Sequence, residues 1–271
     1  MIIESMGFDG QPDQLAKFLE YSAELSRTLE RLEEVIGLVF VGSSSDVRRV
    51  DEWSDHDFFV VTKSGFAQSL RENLSWLPRH ERISIAPRET EHGLKVIYDD
   101  GQVLEFAVFN DPELELASVN SYFVAFDRTN IAQRMATIAS RPKGGSLNTA
   151  IEFELFLSQI LIGVGRARRG ELLSARQFIN SFAMSNVLGL IRAWLTPVAG
   201  TENDEDDLNR FRRFEFQYPD VGKALAVIQQ LEIEPSAREL LGVIQSLGHD
   251  QLTKAQRDQI EVVERRLGWN S

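Results

Sequence analysis

Two carboxylates stand one residue apart at the mouth of an apolar run: Asp55 and Asp57, within VFVGSSSDVRRVDEWSDHDFFVV, Val39 to Val61. Along an extended chain, side chains at i and i+2 project to the same face about 7 Å apart, and a local bend brings them closer. At about 4 Å two like charges cost about 4 kcal/mol at an effective dielectric of about 20, so the pair needs either a cation between its members or a solvated turn at a strand edge. A divalent cation with oxygen ligands meets the first need. Mg²⁺ takes one or two carboxylates together with substrate phosphates and waters. The four histidines, His56, His80, His92 and His249, have no zinc-like spacing.

Upstream, Gly42-Ser43 ends the preceding apolar run Leu38 to Val41. A glycine there lets the backbone approach a ligand, and a serine hydroxyl with neighbouring N–H groups can meet phosphate oxygens. A third acid would complete a metal site. Glu105, between Leu104 and Phe106, falls on the opposite strand face from its apolar neighbours. The competing acids are Asp99 and Asp100, which read as turn residues, and Asp111, which precedes a proline and could cap a helix. Arg48 and Arg49 lie between the two halves of the motif, facing either phosphate or solvent. Trp53 could stack on a base or pack.

The elements that must hold these residues follow from periodicity. Apolar residues recur at three- and four-residue steps from Asp13 to about Val35, predicting an amphipathic helix. Leu38 to Val41 and Phe58 to Thr62 read as strands framing a polar loop. A short helix is expected over Phe66 to Leu77, then strands over Arg82 to Ala86, Leu94 to Tyr98 and Val103 to Phe109, with Asp100-Gly101 as a hairpin turn. After Asn110 the β signal fades. Arg141-Pro-Lys-Gly-Gly-Ser146 is the clearest breaker cluster, and the domain boundary is placed there, giving domains 1–143 and 144–271. Beyond it the pattern is helical: Thr149 to Arg169, Leu172 to Leu195, Val221 to Leu231, Ser236 to Leu247 and Leu252 to Leu267. The expected fold is therefore α+β: an α/β domain with a mixed, twisted sheet, followed by an all-α helical bundle.

The order Gly-Ser, a ten-residue polar spacer, Ser-Asp-x-Asp on a strand and a later strand acid resembles the nucleotidyltransferase superfamily typified by DNA polymerase beta. Two further segments, RARRGELLSAR (Arg166 to Arg176) and RRFEFQYP (Arg212 to Pro219), resemble its aminoglycoside and lincosamide nucleotidylyltransferase branch. The resemblance is strong over residues 38 to 61 and weak elsewhere. It implies that Gly42 and Ser43 bind the triphosphate, that Asp55, Asp57 and Glu105 hold two Mg²⁺ ions, and that Glu105 or a nearby carboxylate takes the acceptor's proton. It also implies that the helical domain supplies acceptor contacts. Glu171 is then an acceptor ligand or base, although an acid at a helix N-terminus needs no function. Arg176 is a phosphate contact among Arg166, Arg168 and Arg169, whose ordinary role is solvated charge. His56 departs from the family's pattern, in which an apolar residue separates the acids.

The implied reaction moves an NMP, with ATP as the expected donor, to a hydroxyl of a small molecule and releases pyrophosphate. The other readings are a non-catalytic nucleotide-sensing or interaction protein and a toxin-like enzyme that nucleotidylates protein or tRNA. A formal charge of −12 disfavours nucleic acid as a partner and suits a cationic amino sugar. With 43% apolar and 26% charged residues the chain belongs among globular proteins, and 271 residues allow two domains. There is no cysteine, hence no disulfide framework. No stretch nears the roughly 18 apolar residues of a membrane span, and MIIESMGFDGQPDQ lacks a basic segment followed by an apolar one, so a soluble, unprocessed, cytoplasmic chain is expected. The acidic run Glu202 to Asp207 reads as a solvated loop.

Overall fold

A computed structural model of the protein describes residues 12–141, 147–201, 206 and 208–269. The breaker residues 142–146, most of the acidic run (202–205 and 207) and the first eleven residues lie outside them. The chain divides into two compact units, Met1–Pro142 and Lys143–Ser271.

The first unit opens with α1 (Pro12–Glu30), whose Phe18, Tyr21, Leu25 and Leu29 are buried while Leu19 is exposed. The expected continuation of this helix to Val35 is not seen. Arg31 and Leu32 turn back onto the carbonyls of Thr28 and Leu29, and Val35 already pairs with Thr62 as the first residue of a strand. That strand, β1 (Val35–Val41), is followed by β2 (His56–Thr62), α2 (Ala67–Glu72), β3 (Ile83–Ile85), β4 (Gly93–Tyr98), β5 (Val103–Asn110), β6 (Tyr122–Asp127) and α3 (Ile131–Ala139). The helix expected over Phe66 to Leu77 stops at Glu72, where Asn73 becomes extended. The turn beyond it instead buries Trp76, whose indole N–H donates to the Leu70 carbonyl at 2.9 Å.

The six strands form one mixed sheet in the order β3-β4-β5-β2-β1-β6. β2 and β5 are parallel, and the other neighbours are antiparallel. A parallel pair needs a long crossover, and here the chain between Thr62 and Val103 supplies it through α2, β3 and β4. β6 lies in the stretch where no strand was expected. Its apolar run YFVAF has no alternation by which to distinguish a strand from a helix, and pairing with β1 decides the matter.

Alternation along the strands gives the sheet two unequal faces. Phe58, Val60, Leu104, Phe106 and Val108 join Tyr21, Leu25 and Leu29 of α1 in one apolar layer, with Phe58 and Phe106 stacked at 4.8 Å between ring centroids. Residues one step out of phase, among them Val39, Val61 and Phe109, pack with Ile131, Met135 and Ile138 of α3. Asp57 and Glu105 share the phase of this second face, at the starts of β2 and β5.

The second unit is helical: α4 (Thr149–Arg168), α5 (Leu172–Gln177), α6 (Met184–Trp194), α7 (Phe214–Gln217), α8 (Pro219–Ile228), α9 (Ile233–Leu247) and α10 (Lys254–Leu267). The segment expected as one helix from Leu172 to Leu195 is interrupted by a π-helical turn, Phe178–Ala183, and α7 has no counterpart in the expected set. Its core runs through Phe153, Phe156, Ile160, Ile179, Val187, Ile191, Leu240 and Ile244. In the same unit, Glu152 receives two hydrogen bonds from Arg210 at 2.8 and 2.9 Å and one from Asn186 at 2.7 Å. Among the described residues no helix is long and apolar enough to cross a membrane.

Candidate metal and phosphate site

The β1–β2 connection carries the first part of the site. β1 ends at Val41, and the chain turns through a 3₁₀ segment, Gly42–Ser45. Gly42 has φ of +57°, a conformation that disfavours side chains. A Cβ built on it would lie 2.6 Å from Asp57 Oδ2, so the glycine backbone closes against a carboxylate that leaves no room for a methyl group. Ser43 is buried, at 8% exposure.

Ser44 does more than was read from the sequence. Its hydroxyl accepts a hydrogen bond from the Asp57 N–H at 2.9 Å and donates to the Asp55 carbonyl at 3.2 Å. The Asp-x-Asp segment is thereby strapped to the loop that precedes it. Ser45 Oγ donates to the Gly42 carbonyl at 2.8 Å and meets Ser121 Oγ at 2.9 Å, while Arg49 reaches Ser121 Oγ at 3.4 Å. Ser121 immediately precedes β6, so the unexpected edge strand also braces the loop. The three consecutive serines were the one visible signal for this network.

Between the two acids, His56 points to the opposite face. Its ring stacks on Phe18 at 3.8 Å, and its Nε2–H donates to the Phe18 carbonyl at 3.1 Å. Burial lowers its pKa to about 4, against the smaller upward pull of that hydrogen bond, so the ring is neutral at pH 7. An apolar residue would fill the same place; the histidine adds a bond to α1.

Glu105 reaches the pair through strand register. It stands directly beside Asp57 in the parallel β2–β5 ladder and beside Lys95 in the antiparallel β4–β5 ladder. Asp55, Asp57 and Glu105 each present a carboxylate oxygen, and these oxygens all lie within 4.8 Å of one another. The two aspartates are half-buried and the glutamate is exposed. Three hard oxygen donors at this spacing match the ligand chemistry of Mg²⁺ or Mn²⁺, and Gly42 closes against one of the three acids.

The other acids weighed from the sequence are engaged elsewhere. Asp99 and Asp100 pair with Arg82 at 2.6 and 3.0 Å, flanking the expected turn at Gly101. Asp111 pairs with Arg134, and Asn110, not Asp111, caps the short 3₁₀ turn that follows, in a reciprocal box with Glu113. Arg48 is bidentate with Asp46. Trp53 does not pack: it is 86% exposed, on a turn fixed by Asp51 and Ser54.

Glu171 and Arg176 belong to the second unit and pair within it. Glu171 accepts from Arg169 at 2.9 Å and lies 3.6 Å from Arg166; the hydrogen bond from Arg169 holds its carboxyl below the usual range. Arg176 meets the Leu231 carbonyl at 3.4 Å and Glu232 at 3.6 Å.

No family model matches the chain, and no curated protein sequence does. Among solved structures the chain is similar to an aminoglycoside 6-adenyltransferase from Bacillus subtilis, with 11% identity, 92% of this chain and 97% of that one covered, and a TM-score of 0.38. It is also similar to a nucleotidyltransferase-like protein from Exiguobacterium sibiricum 255-15, with 12% identity, 93% and 78% covered, and a TM-score of 0.34.

Proposed function

We propose that the protein is a nucleotidyltransferase that moves the nucleoside monophosphate of an NTP, with ATP as donor, to a hydroxyl of a small molecule. The observation that carries this reading is the convergence of Asp55, Asp57 and Glu105, with oxygens within 4.8 Å, beside a glycine-serine loop that folds against Asp57. Asp55, Asp57 and Glu105 would hold the divalent cations, Mg²⁺ by their oxygen chemistry, which when bound neutralise phosphate charge and polarise the reacting oxygens. Gly42 and Ser43 are assigned to the triphosphate, their backbone N–H groups being the donors such a loop offers to phosphate oxygens. The strap through Ser44 holds the two aspartates in place before any ligand arrives, which removes that ordering cost from the reaction.

In the proposed reaction the acceptor oxygen bonds to the α-phosphorus, the bond to the β-phosphate oxygen breaks, and pyrophosphate leaves. The acceptor's proton passes to Glu105, the most exposed of the three acids. Glu171, an exposed carboxylate whose hydrogen bond from Arg169 lowers its pKa further, suits contact with a cationic acceptor group better than proton abstraction, and Arg176 is assigned to a phosphate on charge alone. The net charge of −12 supports a cationic small acceptor of amino-sugar type over nucleic acid. The absence of cysteine fits the cytoplasm.

The test is pyrophosphate release from ATP and Mg²⁺ across a panel of aminoglycosides, lincosamides, tRNA and labelled lysate protein, with Asp57→Asn as control. Release with a small acceptor, lost in the variant, is expected. Nucleotide binding without release in every arm would favour a nucleotide sensor, and a labelled macromolecule would favour a toxin-like enzyme.

A further inference from the structure

Glu105 is the member of the triad with a second claim on it. Lys95, its register partner on β4, places Nζ 3.6 Å from Glu105 Oε2 and donates to Glu89 Oε1 at 2.9 Å. Register also aligns Glu105 with Asp57 on β2, so one row across three strands reads Lys95, Glu105, Asp57. The lysine is half in solvent, as are both its carboxylate partners. Its ammonium is held charged above its ordinary range, first by the hydrogen bond to Glu89 and then by the charge of Glu105.

We propose that Lys95 is a resident counter-cation that competes with a divalent metal for Glu105, and that Glu89 sets how readily it yields. A divalent ion held among Asp55, Asp57 and Glu105 must share Glu105 with an ammonium, and the two cations repel. Lys95 lowers the affinity of the three acids for a bare ion. Glu89, 2.9 Å from the ammonium, supplies the alternative partner to which the lysine withdraws. The site therefore loads best with an ion that arrives with its own anions, as a metal–triphosphate does. Lys95 acts through Glu105 and is a positioning residue. The inference rests on the metal reading of the three acids given above.

The opposite role is physically distinct: a lysine that relieves repulsion among the carboxylates and so preforms the site. The two differ in sign. Titrating Mn²⁺ alone into the full chain, by calorimetry or water-proton relaxation, decides between them. Lys95→Met is expected to tighten Mn²⁺ binding about fivefold at low salt, an effect that shrinks as screening rises, because one unit charge a few ångströms from a divalent ion is removed in a largely aqueous medium. Lys95→Arg keeps the charge and should bind as the unsubstituted protein does. Glu89→Gln, which deprives the lysine of its alternative partner, should weaken binding about two- to fivefold.

Urea unfolding of each variant keeps a change of fold apart from a change of affinity. Should Lys95→Met fail to fold, Lys95→Gln, which also removes the charge but keeps a polar end between Glu89 and Glu105, takes its place: tighter Mn²⁺ binding supports the inference, and unchanged or weaker binding overturns it. Saturable Mn²⁺ binding that is unchanged or weaker in a folded Lys95→Met overturns this inference and leaves the metal site standing. No saturable binding to the unsubstituted protein overturns the metal reading and this inference together.

Discussion

Replacing Gly42 by alanine puts a methyl group where Asp57 already has an oxygen. The new Cβ would sit 2.6 Å from Asp57 Oδ2, whereas a carbon–oxygen contact settles at about 3.3 Å, so one partner must give way by about 0.7 Å. The carboxylate is the softer of the two, but its strand neighbours are locked: the Asp57 N–H is tied to Ser44 at 2.9 Å and its Cα is in register with Glu105. The displacement therefore falls on the carboxylate that Asp57 contributes to the three-acid cluster. A misplacement approaching 1 Å costs on the order of a hundredfold in rate, so transfer should fall about 30- to 100-fold, and Mn²⁺ binding should weaken by at least about tenfold. The left-handed backbone at φ +57° adds a stability loss of about 1–2 kcal/mol for any residue with a Cβ.

Gly101→Ala separates the two effects. Gly101 also has positive φ, +87°, but nothing lies within 4 Å of its virtual Cβ. Both variants should lose similar stability in urea titrations; only Gly42→Ala should lose Mn²⁺ affinity and pyrophosphate release. If Gly42→Ala binds Mn²⁺ and turns over as Gly101→Ala does, then the closure of the loop on Asp57 has no part in the site and the reasoning fails.

Asp57→Asn should abolish metal-dependent transfer while far-UV circular dichroism and unfolding stay near those of the unsubstituted protein; undiminished turnover would remove the triad from the chemistry. Ser44→Ala removes both bonds of the strap and should cost about 1–2 kcal/mol of stability, with transfer falling more than nucleotide binding, as separate kcat and KM values would show. Mg²⁺ at about a hundredfold excess over its Kd should raise the unfolding free energy by about 2.7 kcal/mol, and chelation with EDTA should reverse it. In the helical unit, burial pushes the Glu152 carboxyl up, but the hydrogen bonds and charge of Arg210 with the bond from Asn186 outweigh it, and its pKa is lowered. The stability this contributes is present above the ordinary carboxylate pKa and is lost as pH falls through the depressed folded value. Glu152→Gln should therefore cost about 2–3 kcal/mol at pH 7 and flatten the acid limb of urea-unfolding stability below about pH 4.5.

The pattern of residues carried the parts of the molecule that are local. The strands around Asp55 and Asp57, the turn at Gly101, the phase of Glu105 and the long helices of the second unit all follow from alternation or helical spacing within a few residues. The parts it hid depend on partners far along the chain. The strand Tyr122–Asp127 exists because β1 offers it an edge. The end of α1 is set by Val35 joining Thr62. The π turn at Phe178–Ala183 has no counterpart in apolar spacing. At the site, the nearness of Glu105 to Asp57 requires parallel pairing between strands some fifty residues apart, which no spacing along the chain encodes, and the same holds for Lys95. Ser44 was within sight, but a serine in a loop can donate anywhere; only the fold shows that it binds both sides of the Asp-x-Asp segment.

Because β2 and β5 run in the same direction, their beginnings share a rim with the ends of the antiparallel β1 and β4. Three stretches of chain meet there: the long connection between Gly42 and Asp55, the short turn from Asp99 to Gln102, and Ser121 at the threshold of β6. The first is tied down by Val50, buried with Leu15 and Phe18 of α1, whereas the other two add nothing to the apolar layers of the sheet. Insertions or exchanges in the β4–β5 turn would change what stands over the acids while the ladder beneath kept its alignment. The molecule thus divides its labour by height: the ladder aligns Glu105 with Asp57, the β1–β2 loop straps the aspartates, and the β4–β5 turn is the part of the rim that can vary without disturbing either.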